Sequence, residues 1–504
     1  MKRTFYTIFI LLIIHLKFSV GQNFIYNFNG FSFQPDTALK IFSISQNPAL
    51  LNYDEDHELL YIKTAYSFSD EKFKRYFDPE RINYYQVRFS GKKKIGDNQI
   101  FKGVFEFNKL VRKNWNWIFI KDYNSGNPFL FGDSSSGSSS FNGIYFNANY
   151  FNQIFHNSSF GAGLEYFVDE GLKQVSPKPT SQHRNIKFTL GFSYSPLKFI
   201  NLAIAGMIED KKEEIFYKED ESAVYKEITL FKFRGIDFPI IVKKKTETRI
   251  LFYNNYAFSG DIIYKPSDSF LFFSRIYKGI DQSISKEEIT NPTNQGYFQN
   301  DYFNFEMKSE TFWTGRLKTN LSFKYFTSSG WAKHPSFNSL LSEQKQNLSG
   351  ITGNISYRLN EKLNANFGLG FGQFKFNLND YYSNVLFDTK SQLISLQTGL
   401  KFYFTNSILL ETNLLIEKHS PVSSEEFYEN SGIYFMSFLK NDLEYFKTEF
   451  NRYNLSFLIT MQLFSGEIIL ATDYNYLKPI NSSIWNNVQN QNINTFIEYR
   501  VKVY

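Results

Sequence analysis

The chain of 504 residues has no cysteine, so a disulfide framework and thiolate metal sites are excluded. Histidine is scarce, with six in all. Beyond the N-terminal leader these are His57, His156, His183, His334 and His419, which show neither His-x-x-x-His nor Gly-x-Ser-x-Gly spacing. No catalytic residue, metal ligand or cofactor site is therefore expected, and an enzyme is not. Past residue 21 no apolar run approaches the roughly 20 residues that a membrane-crossing helix needs. Charge of one sign is also missing. Lys and Arg total 55 against 49 Asp and Glu, a net charge of +6 that gives no basis for a nucleic-acid partner.

The first 21 residues carry an export address. Lys2 and Arg3 open it, Phe5 to Leu16 is an apolar stretch, and Ser19-Val20-Gly21 supplies small residues for cleavage before Gln22. Residues 1–21 are read as a signal peptide, 22–56 as an irregular N-terminal segment and 57–504 as the folded body.

What the body has in abundance is aromatic: 58 Phe and 34 Tyr, in a chain whose mean hydropathy is still polar at -0.35. A lipid-embedded strand needs an apolar residue only at every second position, so a β-barrel crosses a membrane at polar mean hydropathy, and rings collect at its two interfaces. The alternation itself is explicit. Ile186, Phe188, Leu190, Phe192 and Tyr194 interleave with Lys187, Thr189, Gly191 and Ser193. Tyr453, Leu455, Phe457, Ile459, Met461 and Leu463 form another such face.

Five pairs of such stretches are joined by short turns at Pro196-Leu197, Pro266-Ser267-Asp268, Asn360-Glu361-Lys362, Thr405-Asn406-Ser407 and Ser465-Gly466-Glu467. Between them lie longer charged segments, at about 209–249, 279–316, 328–347, 379–390, 417–450 and 477–492, several of which still alternate, for example Ile228 to Phe233, and are expected to extend the strands above the membrane. The pattern predicts an all-β transmembrane antiparallel barrel of about 14–18 strands, with short periplasmic turns and long extracellular loops. Along Leu363, Ala365, Phe367, Leu369 and Phe371 the opposite face reads Asn364, Asn366, Gly368, Gly370 and Gly372, a small and polar lumen side. After Phe371 the apolar phase slips to Phe374, Phe376 and Leu378, which predicts a β-bulge near a rim.

The stretch Asp133 to Ser140 is low-complexity and is expected to be a flexible loop. Lys92-Lys93-Lys94 and Lys243-Lys244-Lys245 are charge runs, read as solvated loops in preference to lipopolysaccharide contacts. Asp54-Glu55-Asp56 offers hard oxygen ligands but lacks the spacing of a calcium loop.

Two local features resemble known groups. Asn47-Pro48-Ala49, ahead of the first strand in a very aromatic chain, resembles outer-membrane proteins of the Bacteroidota. The long-chain fatty-acid transporter family and the barrel components of the type IX secretion system share an Asn-Pro-Ala segment in this place. The architecture fits better an uncharacterised family of large barrels from that phylum. The resemblance implies that Asn47, Pro48 and Ala49 lie in a segment folded into or beneath the lumen; read from the residues alone, they are a turn. The last strand, with Ile497, Tyr499, Val501 and Val503 on one face, ends on Tyr504 and resembles the barrel-assembly signal of outer-membrane proteins. Tyr504 departs from the usual pattern by falling in phase with Glu498, Arg500 and Lys502.

The expected location is the outer membrane, with membrane lipid, lipopolysaccharide, the barrel-assembly machinery and a surface or periplasmic protein as partners. The expected function is a channel or transporter for a small or hydrophobic solute. The alternative is a docking barrel of a secretion or cell-surface complex. Inward Gly and Asn rows argue for space in the lumen, and inward Glu498 and Arg500 for a filled one.

Overall fold

The computed structural model describes residues 39–54, 59–175, 177–218, 229–233, 239–242, 246–288, 291–335, 338–405, 407–429, 440–463, 466–480, 482, 484–485 and 487–502. The strands begin with β1 (Leu59–Glu71), β2 (Arg81–Ile95), β3 (Gln99–Ile118), β4 (Phe131–Phe155), β5 (Ser158–Lys173), β6 (Thr180–Leu197) and β7 (Ile200–Lys218). A small hairpin, β8 (Leu230–Phe233) and β9 (Pro239–Val242), precedes β10 (Thr246–Ser267), β11 (Phe270–Glu287), β12 (Thr293–Phe312) and β13 (Leu317–Lys333). Then follow β14 (Leu340–Arg358), β15 (Leu363–Asp380), β16 (Val385–Thr405), β17 (Ile408–Tyr428), β18 (Glu449–Leu463), β19 (Gly466–Ile480) and β20 (Asn490–Lys502).

Each strand pairs antiparallel with the next, β7 pairs with β10, and β1 pairs with both β2 and β20, which closes an 18-stranded barrel. Closure leaves no unpaired edge in the membrane. The hairpin β8–β9 stands outside the count and pairs with the start of β4. Among the described residues, one rim carries the short connections β2–β3, β4–β5, β6–β7, β10–β11, β12–β13, β14–β15, β16–β17 and β18–β19. All five sequence-predicted turns lie on it. The other rim, which by the usual build of such barrels faces outward, carries the segments 72–80 and 119–130, the β8–β9 hairpin and the helix at Lys440–Lys447.

The membrane belt follows from the alternation. On β18 the outward residues from Tyr453 to Leu463 are apolar, a span that matches the roughly 9–11 residues of a tilted membrane strand. Leu369, in the middle of the outward face of β15, is 54% exposed in the protein alone. Leu369→Arg is expected to destabilise the barrel by about 2–4 kcal/mol, as a cation near the bilayer midplane does. Urea unfolding in lipid vesicles measures it, with the inward Gly370→Ser as the control that should change little.

Two expectations are corrected. No bulge follows Phe371: β15 keeps one register with β14 and with β16 from end to end. Phe374, Phe376 and Leu378 continue the inward face of Gly368, Gly370 and Gly372 and are buried at 1%, 0% and 3% exposure. What reverses is the environment. Above the membrane the outside of the strand is wet and its inside becomes core. The long segments 279–316 and 379–390 are mostly strand, in line with strands that extend above the membrane, where an apolar outer face is no longer needed. The Asp133 to Ser140 stretch is likewise part of β4, paired to β3 and then β5, and Asp133 is buried against Lys173 at 2.9 Å.

Candidate functional site

The lumen is occupied at both ends by the chain's own segments. At the short-turn end sit α1 (Ile41–Ser45) and a 3-10 turn over Pro48–Tyr53. The local sequence explains the turn. Asn47 is its N-cap, accepting from the Ala49 amide at 2.9 Å, and Pro48 occupies the first position, where no donor is needed. The same Asn47 side chain donates from Nδ2 to the Ile204 carbonyl of β7 at 3.1 Å, and Ser159 Oγ of β5 donates to the Ala49 carbonyl at 3.0 Å. Asn47, Ala49, Leu50 and Leu51 are fully buried.

Two glycines make room for this seat. A β-carbon built on Gly161 would lie 2.2 Å from the Pro48 carbonyl carbon and 2.3 Å from the Ala49 nitrogen, and one on Gly191 would lie 1.9 Å from Asn47 Oδ1. Both belong to the inward faces of β5 and β6, whose outward residues are Leu164, Tyr166, Leu190 and Phe192. Only a residue without a side chain lets the two backbones come so close.

Around the turn the seat is apolar on one side and ionic on the other. Leu39, Ile41 and Leu50 pack on the inward Ala203, Ile263 and Phe273. Ser45 donates to Asp261 at 2.8 Å, Asp261 lies 3.7 Å from Arg275, and Arg275 also holds the Ile44 carbonyl. Lys102 reaches Asp54 at 2.6 Å, and Lys92 donates to the Asp54 carbonyl at 2.6 Å. The Leu39 amide donates to Glu310 at 3.1 Å, which Lys318 neutralises at 2.7 Å.

At the outer end a second body of chain fills the mouth. In segment 429–448 the helix α2 (Lys440–Lys447) puts Leu443, Tyr445 and Phe446 onto the inward Phe374, Phe376 and Phe387. Phe73, between β1 and β2, is fully buried, stacked on Tyr445 at 4.6 Å and edge-on to Trp485 at 5.5 Å. Its backbone is held at both ends by Asn490, the N–H donating at 2.8 Å and the carbonyl accepting at 2.6 Å. Four residues on, Phe77 packs with Phe231, Phe233, Trp117 and Leu130, so this one loop joins the α2 cluster to the β8–β9 hairpin. Phe129 from segment 119–130 lies over Gly296, where a β-carbon would come within 2.3 Å of its ring.

The polar seam of this cap lies outside the membrane. Arg75 pairs with Asp78 at 3.0 Å, Tyr123 donates to Asp78 at 2.9 Å, and the Tyr76 amide donates to Asp442 at 2.9 Å. Burial pushes Asp78 up, but the Arg75 guanidinium outweighs it and holds the carboxyl below its usual range. For Asp442 burial wins over Arg75 and pushes the carboxyl up to about 6.

The other sequence candidates fall as follows. Lys92 is not a loop residue: it lies on β2 at the short-turn end and points into the lumen toward Asp54, with Lys93 and Lys94 exposed beyond it. Lys243-Lys244-Lys245, Glu55, Asp56, His57, Val503 and Tyr504 lie outside the described residues. His183 and His419 are buried 6% and 0% exposed on different strands, and His419 stacks on Phe450 at 4.6 Å. Among the described residues no group of three metal-ligating side chains converges. Tyr499 faces lipid, while Glu498 and Arg500 face inward and bond each other. The cap residues Phe73 and Asp442 carry no motif. The run Phe374, Phe376, Leu378 was their one sequence signal, since an inward face turned apolar must be covered.

Among solved structures, the siderophore receptor PiuA from Acinetobacter baumannii is similar at 5% identity and a TM-score of 0.44, over 88% of this chain and 82% of its own. The FrpB iron transporter from Neisseria meningitidis matches at 9% and 0.39, over 88% and 81%. The TodX monoaromatic hydrocarbon channel matches at 9% and 0.30, over 91% and 93%. No curated protein matches the chain significantly. The family model that does match starts inside the Asn47-Pro48-Ala49 triplet and runs to the last residue. Over residues 48–504 the chain belongs to the family of unknown function DUF6850.

Proposed function

We propose that this protein is a gated outer-membrane transporter that passes a small solute through its lumen when the seated N-terminal segment and the outer cap give way. One observation carries the reading. Residues 39–54 are bonded to the inner wall by single hydrogen bonds and ion pairs, and they rest in gaps left by Gly161 and Gly191. A wall built to hold a removable segment suits a passage that opens. The polar character of the inner wall favours a polar solute over a hydrophobic one. The alternative, a docking barrel, uses the same outer loops as a partner surface and needs no passage.

Conductance in a planar bilayer separates the two. The wild-type barrel, folded by the heat-modifiability criterion, is expected to be silent, and the double variant Gly161→Val, Phe73→Ala to show single-channel steps. Steps in the wild type would contradict gating. Silence in a folded double variant would leave the docking reading standing.

A further inference from the structure

The inter-strand register sets a row of amide side chains along the inner wall from one closure to the other. Reading partners across the sheet, Asn320 on β13 pairs with Asn354 on β14, Asn354 with Gly368 on β15, and Gly368 with Gln397 on β16. Past Leu415 the row resumes with Asn454 on β18, Asn475 on β19 and Asn492 on β20. All of these face inward, since their strand neighbours Leu321, Ile355, Phe367, Leu396, Leu455 and Tyr474 are the exposed outer face. Because strands in a barrel are tilted and staggered, a row at right angles to them climbs. Asn320 stands near the start of β13 on the short-turn rim, and Asn492 beside Asn490 at the outer end of β20.

The two ends of the row meet the two closures. Glu310, the partner of Asn320 on β12, accepts from the Leu39 amide of the seated segment. Asn490, on the same face of β20 as Asn492, holds the backbone of Phe73 in the cap.

Along the row the amides are poorly satisfied by the protein. Asn454 donates to Asn475 at 2.6 Å. Both polar atoms of Gln397 and of Asn320, Nδ2 of Asn354 and Oδ1 of Asn492 are buried without a hydrogen-bond partner among the described residues. Gln397 is 1% and Asn354 2% exposed, and Gly368, which has no side chain, is the register position between them. Buried donors and acceptors that the fold leaves unpaired are a cost to stability. Each amide offers both a donor and an acceptor and no charge. We infer that this climbing row is the solute track, and that the solute is a neutral, hydroxyl-rich molecule of the oligosaccharide class, whose hydroxyls both give and accept hydrogen bonds. The inference rests on the transport reading for its purpose, but the site is testable by binding alone.

The test is calorimetric binding of maltotriose, cellotriose and chitotriose, with trialanine, trilysine and triglutamate as counter-probes. The protein is the purified full-length barrel, and Gly161→Val is run in parallel so that a closed inner end cannot mask the site. At least one saccharide is expected to bind, to lose tenfold or more in affinity with Gln397→Leu and with Asn354→Leu, and to leave both variants at least as heat-stable as the parent. Three results would overturn the track: no saccharide bound by either protein, binding indifferent to both substitutions, or trialanine or a charged peptide bound as tightly. A barrel silent in the bilayer whose saccharide binding still responds to Gln397→Leu would sink the transport reading and leave the site in place.

Discussion

Substituting valine for Gly161 is expected to drive residues 39–54 out of the lumen while the barrel stays closed. The atoms a new β-carbon would meet are the Pro48 carbonyl carbon and the Ala49 nitrogen. They are backbone atoms of a 3-10 turn, pinned by the Asn47 cap and unable to swing aside as a side-chain tip would. Overpacking of this kind costs about 1–3 kcal/mol even where neighbours give. The bonds it opposes, Asn47 to Ile204 and Ser159 to Ala49, are of the ordinary neutral type, worth about 1 kcal/mol each net. The strand itself gains, since valine suits an extended backbone better than glycine.

The absence of cysteine makes the measurement direct. Ser45 is 1% exposed, so Ser45→Cys supplies one buried thiol in a chain that has no other. In that background a membrane-impermeant maleimide applied from the short-turn side should label slowly, and Gly161→Val should speed labelling by at least tenfold, an equilibrium shift of about 1.4 kcal/mol. Unchanged labelling in a folded barrel would show that the segment accommodates the methyls and is not held by the glycine gap.

The barrel was legible in the sequence because lipid enforces a rule on every second residue. Ile186 to Tyr194 and Tyr453 to Leu463 alternate cleanly since each is flanked by hydrocarbon on one side and lumen on the other. The rule ends where lipid ends. Above the belt the outward face of β15 reads Gln373, Lys375, Asn377 and Asn379, and the inward face is aromatic, so the pattern continues in the opposite phase without any change in register. Read against a membrane face alone, that inversion looks like a bulge. Serine-rich β4 misleads for a related reason, because a strand wetted outside and ion-paired inside through Asp133 and Lys173 carries no apolar signal at all. The seat of Asn47 was half legible. Asn-Pro announces a capped turn, but the glycines that receive it are more than a hundred residues away, on strands where glycine otherwise reads only as small. The cap is built from Phe73, α2 and Trp485, brought together by closure of β1 onto β20, and no local window contains that event.

Removing the Phe73 ring should open that cap. Phe73 is fully buried where four aromatic groups meet, and it is the apolar anchor of the one loop that joins the α2 cluster to the β8–β9 hairpin. A buried Phe→Ala change costs about 3–5 kcal/mol. Here the cost falls on docking of the loop and α2, not on the strand ladder, so hydrogen exchange in residues 72–80 and 440–447 should quicken by about a hundredfold or more while the membrane strands stay protected. The same readout carries a pH dependence whose sign is fixed by Asp442. Its carboxyl titrates at about 6 in the closed cap, against roughly 3.9 for a free aspartate. The closed cap therefore binds more protons than the released loop over this range. Its stability is fullest below about pH 4 and falls as pH rises through 6, by up to about 3 kcal/mol if the whole shift is lost on release. Asp78 works the other way, but only as pH falls below the roughly 3.9 of a free aspartate toward its own depressed range, under the window in which Asp442 titrates. Exchange in the cap should thus be slower at pH 5 than at pH 7 after correction for intrinsic rates. Asp442→Asn should shrink the difference, because the Tyr76 amide keeps an acceptor and one titrating proton is gone, leaving what Glu71 adds in the same direction, its carboxyl pushed up to about 7 by burial. A cap equally tight at both values would place the controlling contact in the ring cluster around Phe73 alone.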